Sequence, residues 1–174
     1  MKAEAVDPLM LLPPRNPGSW DKAAWKVLRN PEVYVCVEFG QETETTVDNW
    51  NRLVTPAFAI TAKAEHASTP AGYTHTLTCN GRSAQVPYAG SREDCLIAVL
   101  ALYAVGRPDI DLRLCKDSVG NSDLWFLPLE PTDWKALETK YSPPLVDGRF
   151  ERLPNTLSEF IKAFTSLQAV QSAY

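Results

Sequence analysis

Histidine is scarce in this chain, and its cysteines never pair at short range. His66 and His75 are the whole histidine complement, too few and too widely spaced to begin a metal site. The four cysteines, Cys36, Cys79, Cys95 and Cys115, fall at no spacing of a zinc knuckle or redox pair. Three of these lie in apolar segments, where a thiol serves as a small buried hydrophobe. Neither G-x-x-x-x-G-K nor G-x-G-x-x-G occurs, so the common phosphate cradles are missing. The polar loop starting at Asp117 fails as a calcium loop: its third position is Val119, its glycine comes too early and its last position is Pro128. Ser19 to Lys22 matches S-x-x-K without the companion S-D-N and K-T-G elements. The expectation is no metal and no cofactor.

Basic residues are missing between Arg29 and Arg52, where Glu32, Glu38, Glu42, Glu44 and Asp48 all fall. That local acidity accounts for the whole of the net charge of −4. A chain of this balance does not bind nucleic acid by neutralising phosphates. Long hydrophobic runs are absent too. The longest, Cys95 to Val105, has 11 residues against the roughly 20 that cross a bilayer, so no membrane partner is expected. The N-terminal apolar run, Leu9 to Leu12, runs into two prolines and lacks the shape of a signal peptide, which leads to an expectation of a cytoplasmic protein.

What is present is ordinary globular composition, 45% hydrophobic and 22% charged over 174 residues, enough for one domain with a real core. Residues 1–18, with four prolines, read as an extended arm ahead of a domain spanning 19–174. Ser19 caps a short helix that stops at Asn30-Pro31. Val33 to Phe39 is β-branched and aromatic, a buried strand. A short helix covers Thr46 to Leu53, and Phe58 to Ala67 reads as a strand with Phe58, Ile60, Ala62, Ala64 and His66 on one face.

Asn80-Gly81 between alternating runs predicts a type I′ hairpin. Its register sets Cys79 opposite Arg82, Leu77 opposite Ala84, His75 opposite Val86 and Tyr73 opposite Tyr88 on one dry face. The threonines Thr74, Thr76 and Thr78 lie on the wet face. Ser91 to Asp94 resembles a capping box opening a helix from Arg92 to Val105, closed by Gly106 as the residue beyond its end. That helix is apolar nearly all round and belongs at the centre of the fold. Asp109 to Cys115 and Leu124 to Leu129 form another hairpin pair, with Ile110, Leu112 and Leu114 inward and Asp109 and Asp111 on a solvated face. Pro131 opens a helix with a Trp134, Leu137, Tyr141 stripe that stops at Ser142-Pro143-Pro144. Thr156 to Glu159 caps a C-terminal amphipathic helix carrying Leu157, Phe160, Ile161, Phe164 and Leu167. The fold class is α+β, a single domain of mainly antiparallel sheet with a buried central helix.

Two sets of side chains are candidates for function. Cys95 in the first turn of the central helix, with His75 as base and Asp94 or Asp117 orienting it, would be the site of a small cysteine-dependent hydrolase or transferase. Its apolar setting argues against a thiolate. Glu38, Glu42, Glu44 and Asp48 beside Trp50, together with Asp117, Asn121 and Asp123 near Trp125, offer instead an acidic surface with an aromatic anchor. The leading expectation is a non-enzymatic cytosolic protein that binds a basic protein partner. In size, charge and lack of catalytic motifs it resembles, as a class, small bacterial immunity or antitoxin proteins that inhibit a toxin; no residue carries that likeness. An accessory or scaffolding subunit is the remaining alternative.

Overall fold

Asn80 and Gly81 take φ values of 49° and 75°, the two positive angles that a type I′ turn requires. The strands they join, β3 (Tyr73–Cys79) and β4 (Arg82–Gln85), pair antiparallel in the expected register, with Cys79 opposite Arg82 and Leu77 opposite Ala84. The preceding strand, β2 (Thr61–His66), pairs with the other side of β3, giving a three-stranded sheet of order β2-β3-β4. These relations come from a computed structural model that describes residues 6–11, 32–91, 93–107, 109–119, 122–156, 159–160 and 162–163. The helix expected from Ser19 to Asn30 lies outside the described residues, as do Leu157, Ile161, Phe164 and Leu167 of the C-terminal helix.

A second sheet has four strands in the order β1-β6-β5-β7, every pair antiparallel. Its members are β1 (Val35–Glu38), β5 (Asp111–Cys115), β6 (Asp123–Leu129) and β7 (Phe150–Arg152). Together the sheets and helices confirm the α+β class. Helices bounded within the described residues are, in chain order, α1 (Asp7–Met10), α2 (Thr43–Leu53), α3 (Asp94–Gly106), α4 (Pro131–Tyr141) and α5 (Pro143–Arg149). Among the described residues no helix is long and apolar enough to cross a membrane.

The central helix α3 buries ten of its thirteen residues. A helix apolar on every side needs cover on every side, and both sheets supply it. One core cluster joins Leu96, Val99 and Leu102 of α3 to Leu77 and Cys79 of the small sheet, to Leu112, Leu114 and Phe126 of the large one, and to Val47 and Trp50 of α2. Phe160 closes this cluster against Phe126, their rings 6.3 Å apart. Thr156 and Glu159 form the expected cap, with the Glu159 amide donating to Thr156 Oγ1 at 3.3 Å.

The opposite face of the large sheet is buried as well, which the alternation of β5 did not suggest. Cys115, Trp125, Leu127 and Leu129 meet Trp134 and Leu137 of α4, Val146 of α5 and Phe150. The face expected to be solvated at Asp109 and Asp111 continues into Arg113, which is 1% exposed. Arg113 lies 4.0 Å from the Trp134 ring and pairs with Asp111 and Glu138, each at 3.1 Å. A buried guanidinium is tolerated only with such partners. The N-terminal arm, expected to be extended, contains α1. Its Val6 and Leu9 are fully buried in this second cluster, and Asp7 binds Lys140 and Tyr141.

Several boundaries shift for local reasons. Helix α2 begins three residues earlier than expected, at Thr43. The Ser142-Pro143-Pro144 break both ends α4 and opens α5, because proline suits a first helical turn. Ala64 and His66, expected inward, are exposed, since β2 is the outer strand of its sheet. Tyr73 is likewise exposed at the start of β3. Gly106 is the last residue of α3, not the residue beyond it, and Arg107 is the cap. Its lack of a side chain serves packing: a Cβ there would stand 3.0 Å from Trp50 Cζ2 and 3.1 Å from Cη2. Trp50 cannot yield freely, because its indole nitrogen donates to the Phe58 carbonyl at 3.1 Å. Gly106→Ala is therefore expected to destabilise the fold by about 1–2 kcal/mol, the scale of overpacking. Urea unfolding that shows an unchanged or higher midpoint would contradict this packing role.

Candidate functional site

The turn after β1 sets the site's frame. Gly40 takes φ 85°, and Gln41 folds back so that its amide nitrogen donates to Thr46 Oγ1 at 2.8 Å. Asn49 of α2 donates to the Cys36 carbonyl at 3.0 Å. Helix α2 is thereby fastened to β1, and its amphipathic spacing turns Thr43, Thr46, Val47, Trp50 and Leu53 inward. Glu42, Glu44 and Asp48 are left on the exposed side.

Beneath this exposed row runs a buried polar chain. His75, 3% exposed on β3, places Nε2 2.5 Å from Glu44 Oε1 and Nδ1 2.6 Å from the Tyr88 hydroxyl. Tyr88 is bonded in turn to the Thr43 hydroxyl. Burial pushes the Tyr88 phenol up to about 12, so it remains a proton donor at neutral pH. One proton order satisfies every member: Thr43 donates to Tyr88, Tyr88 to His75 Nδ1, and His75 Nε2 to the Glu44 carboxylate. Burial is the largest single influence on Glu44 and opposes its charge, but the hydrogen bond from His75, the backbone hydrogen bond of Glu44 and the charge interaction with His75 together hold the carboxyl below its ordinary value of 4.5. Rings of Tyr73, His75 and Tyr88 meet edge-on or tilted around the chain at centroid distances of 5.2 to 5.7 Å.

This arrangement decides how the histidine can act. Both ring nitrogens of His75 are committed, to Glu44 and to Tyr88, so His75 does not present a free base to Cys95. The Cys95 thiol is 2% exposed, and burial raises it above the ordinary thiol range against the opposing pull of the Gly40, Leu96 and Cys95 amides. Asp94, the other member considered, accepts hydrogen bonds from the backbone amides of Ala89, Gly90 and Ser91, and so secures the turn before α3.

The acidic candidates separate into groups. Glu38, Glu42, Glu44 and Asp48 are exposed, and β-pairing adds Asp123, which stands opposite Glu38 across β1 and β6. Trp50 is a correction: it is 0% exposed in the core and cannot anchor a partner. Asp117 is another. It is 8% exposed and bonded to Arg149 at 2.7 Å, while Ser118 next to it accepts from the Trp125 amide at 3.0 Å. Residues 117–119, just after β5, are thus folded inward. Asn121 lies outside the described residues. The Glu44–His75 contact joins residues 31 apart in the chain, and nothing in either local pattern announces it.

Elsewhere, a cavity of about 330 Å³ is lined by Tyr103, Arg107, Asp111, Pro131 and Arg152 among others. Its charges are already satisfied: Arg107 bonds Asn155, Arg152 bonds Glu138, and Asp111 receives Tyr103 and Arg113. Among the described residues no group of three or more histidine, cysteine or carboxylate side chains is placed to hold a metal ion. Comparison with known proteins gives no match: no family model, no curated protein and no solved structure is similar to this chain.

The buried chain has measurable consequences. Tyr88→Phe removes the shared hydroxyl and leaves His75 Nδ1 and Thr43 without it, an expected loss of about 1–3 kcal/mol in unfolding free energy. The Glu44 contribution has a defined sign. Its folded value is depressed, so its stabilisation is fully present above its ordinary value of 4.5 and is lost as pH falls through the folded value. The stability difference between wild type and Glu44→Gln, followed by urea unfolding, should therefore shrink on acidification. A difference that stays constant to low pH would show that Glu44 is not held by His75.

Proposed function

We propose that this protein is a non-enzymatic binding protein whose acidic rim, Glu38, Glu42, Glu44, Asp48 and Asp123, meets a basic protein partner. The observation that carries the reading is the clamp on Glu44. A long side chain on an exposed helix face is ordinarily free to move, and this one is held by a buried histidine from another element. An acidic group fixed in advance loses less entropy on binding.

Charge placement supports the same reading, because stability alone does not favour it. Glu44 and Asp48 are four residues apart on one helix face, a like-charge spacing that costs about 0.2–0.5 kcal/mol. Glu38 and Asp123 stand directly opposite across two strands, another unfavourable pairing. Glu42 and Glu44 have a local benefit, at the positive end of α2. A row of carboxylates maintained against repulsion suits electrostatic steering of a cationic surface. An inhibitor of a basic toxin, of the immunity or antitoxin kind and acting in a cytosol, is the form of partner protein that fits this chemistry.

The test begins with capture from the source cell using the intact chain, followed by measurement on the recovered partner. The triple variant Glu42→Gln, Glu44→Gln, Asp48→Asn should weaken binding at least roughly tenfold, about 1.4 kcal/mol, and flatten its salt dependence. Unchanged affinity and salt slope in a folded triple variant would remove the acidic rim from the interface. An activity abolished by Cys95→Ala would replace the binding reading with an enzymatic one.

A further inference from the structure

We infer that the outer edge of β2 pairs with the same edge of a second copy of this chain, antiparallel, about a two-fold axis at Ala64. The interface joins two three-stranded sheets into one. It is separate from the acidic rim and does not depend on it.

Hydrogen-bond phase shows which groups point outward. The Ala67 amide donates to Gly72 and the Val86 amide donates to His75, which fixes the alternation on both sides of β3. His75, Leu77 and Cys79 bond toward β4; Thr74, Thr76 and Thr78 bond toward β2, where Glu65, Lys63 and Thr61 face them. The main-chain groups of Ala62, Ala64 and His66 are consequently directed away from β3. Among the described residues no strand pairs with that side of β2. Five of the six residues of β2 are exposed, and only Ala62 packs against the core.

Charge then selects the occupant and the register. Lys63 and Glu65 are exposed and share one face of the strand, bonded to each other at 2.8 Å. For two β2 edges to exchange hydrogen bonds, residues of the outward set must meet each other. The register centred on Ala64 satisfies this: Ala64 meets its own copy, and Ala62 meets His66. It also places each Lys63 opposite the other copy's Glu65. Those ion pairs fall at positions without main-chain hydrogen bonds, where Cα atoms approach to about 4.5 Å and side chains are closest. The neighbouring registers, centred on Lys63 or on Glu65, bring like charges face to face. A charged residue on an edge strand ordinarily discourages such pairing. Here the opposite charge two residues along makes the edge complementary to itself, as an isologous interface requires.

The experiment is sedimentation velocity on the intact chain across a wide concentration range. Wild type should show a reversible dimer. Lys63→Glu sets glutamates opposite each other at both symmetric positions, and Glu65→Lys does the same with lysines. Each should raise the dimer dissociation constant at least roughly tenfold. The double exchange Lys63→Glu, Glu65→Lys should recover the dimer, and so should an equimolar mixture of the two single variants, which sets opposite charges across the joint and like charges within each chain, so that the internal Lys63–Glu65 pair does not predict it. A wild type monomeric at every concentration, single reversals without effect, or a double exchange as weak as the singles would each overturn the inference. Should a reversal prevent folding, Ala64→Cys decides. Its two copies would lie about 5.5 Å apart, within disulfide reach, and should cross-link rapidly on mild oxidation. Thr61→Cys, whose copies fall at opposite ends of the paired strands, should not. Equal cross-linking of both, or of neither, also overturns the proposal.

Discussion

Everything in this fold answers to one constraint, the burial of a helix with no polar side. The run from Cys95 to Val105 cannot be hidden by a single sheet, because a sheet covers one face of a helix and leaves the other wet. Two sheets and α2 therefore surround it, and their inward residues form one continuous cluster. The constraint reaches down to single atoms. Where α2 crosses the end of α3, the indole of Trp50 occupies the space that any side chain at position 106 would need. A residue that looked like a surface aromatic beside an acidic loop is instead part of what closes the core.

Enclosing the helix from both sides obliges the large sheet to be covered on its far face as well, and polar groups caught there have to be satisfied. Arg113 is neutralised by Asp111 and Glu138, and Asp117 by Arg149. The Thr43–Tyr88–His75–Glu44 chain solves the same problem on the other side, where α2 meets the small sheet. That chain differs in one respect. Its last member reaches solvent, with the Glu44 side chain 53% exposed against 4% for His75. A structural solution to a buried histidine thus ends as a positioned surface charge.

Local patterns were legible in the sequence, and long-range ones were not, for physical reasons. The Asn80-Gly81 turn was readable because its backbone angles are demanded by two adjacent residues. The central helix was readable because an uninterrupted apolar run has one stable environment. The alternation puts His75 on the buried face of its strand, yet its partners are invisible there, since Glu44 belongs to a different element and reads only as a loop charge. The solvated face assigned to Asp109 and Asp111 failed similarly. Alternation marks one side of a strand as apolar but cannot show that a helix later in the chain will cover the other. Trp50 and Asp117 look like surface residues in the sequence because polar neighbours say little about depth. A tryptophan at helical spacing with Val47 and Leu53 had already carried the better signal, a shared inward stripe.

The proposed surfaces meet in β3, and this gives their relation a physical content. His75 projects from β3 to hold Glu44, while the other edge of β3 carries β2 and its unpaired side. Pairing two copies through β2 uses Lys63 and Glu65 and none of the rim carboxylates, while α2 is tied to the chain just ahead of β2, where Asn51 binds Ile60. A two-fold assembly would then display two identical acidic rims with fixed separation. For a partner carrying one basic surface this changes little. For a partner that is itself two-fold symmetric, the second contact becomes intramolecular and its effective concentration is set by the β2 joint. Reversing Lys63 should in that case lower the apparent affinity for a dimeric partner without touching the rim, whereas neutralising the rim should lower it for any basic partner. In these two proposals recognition and assembly fall to different residues, and substitution can separate them.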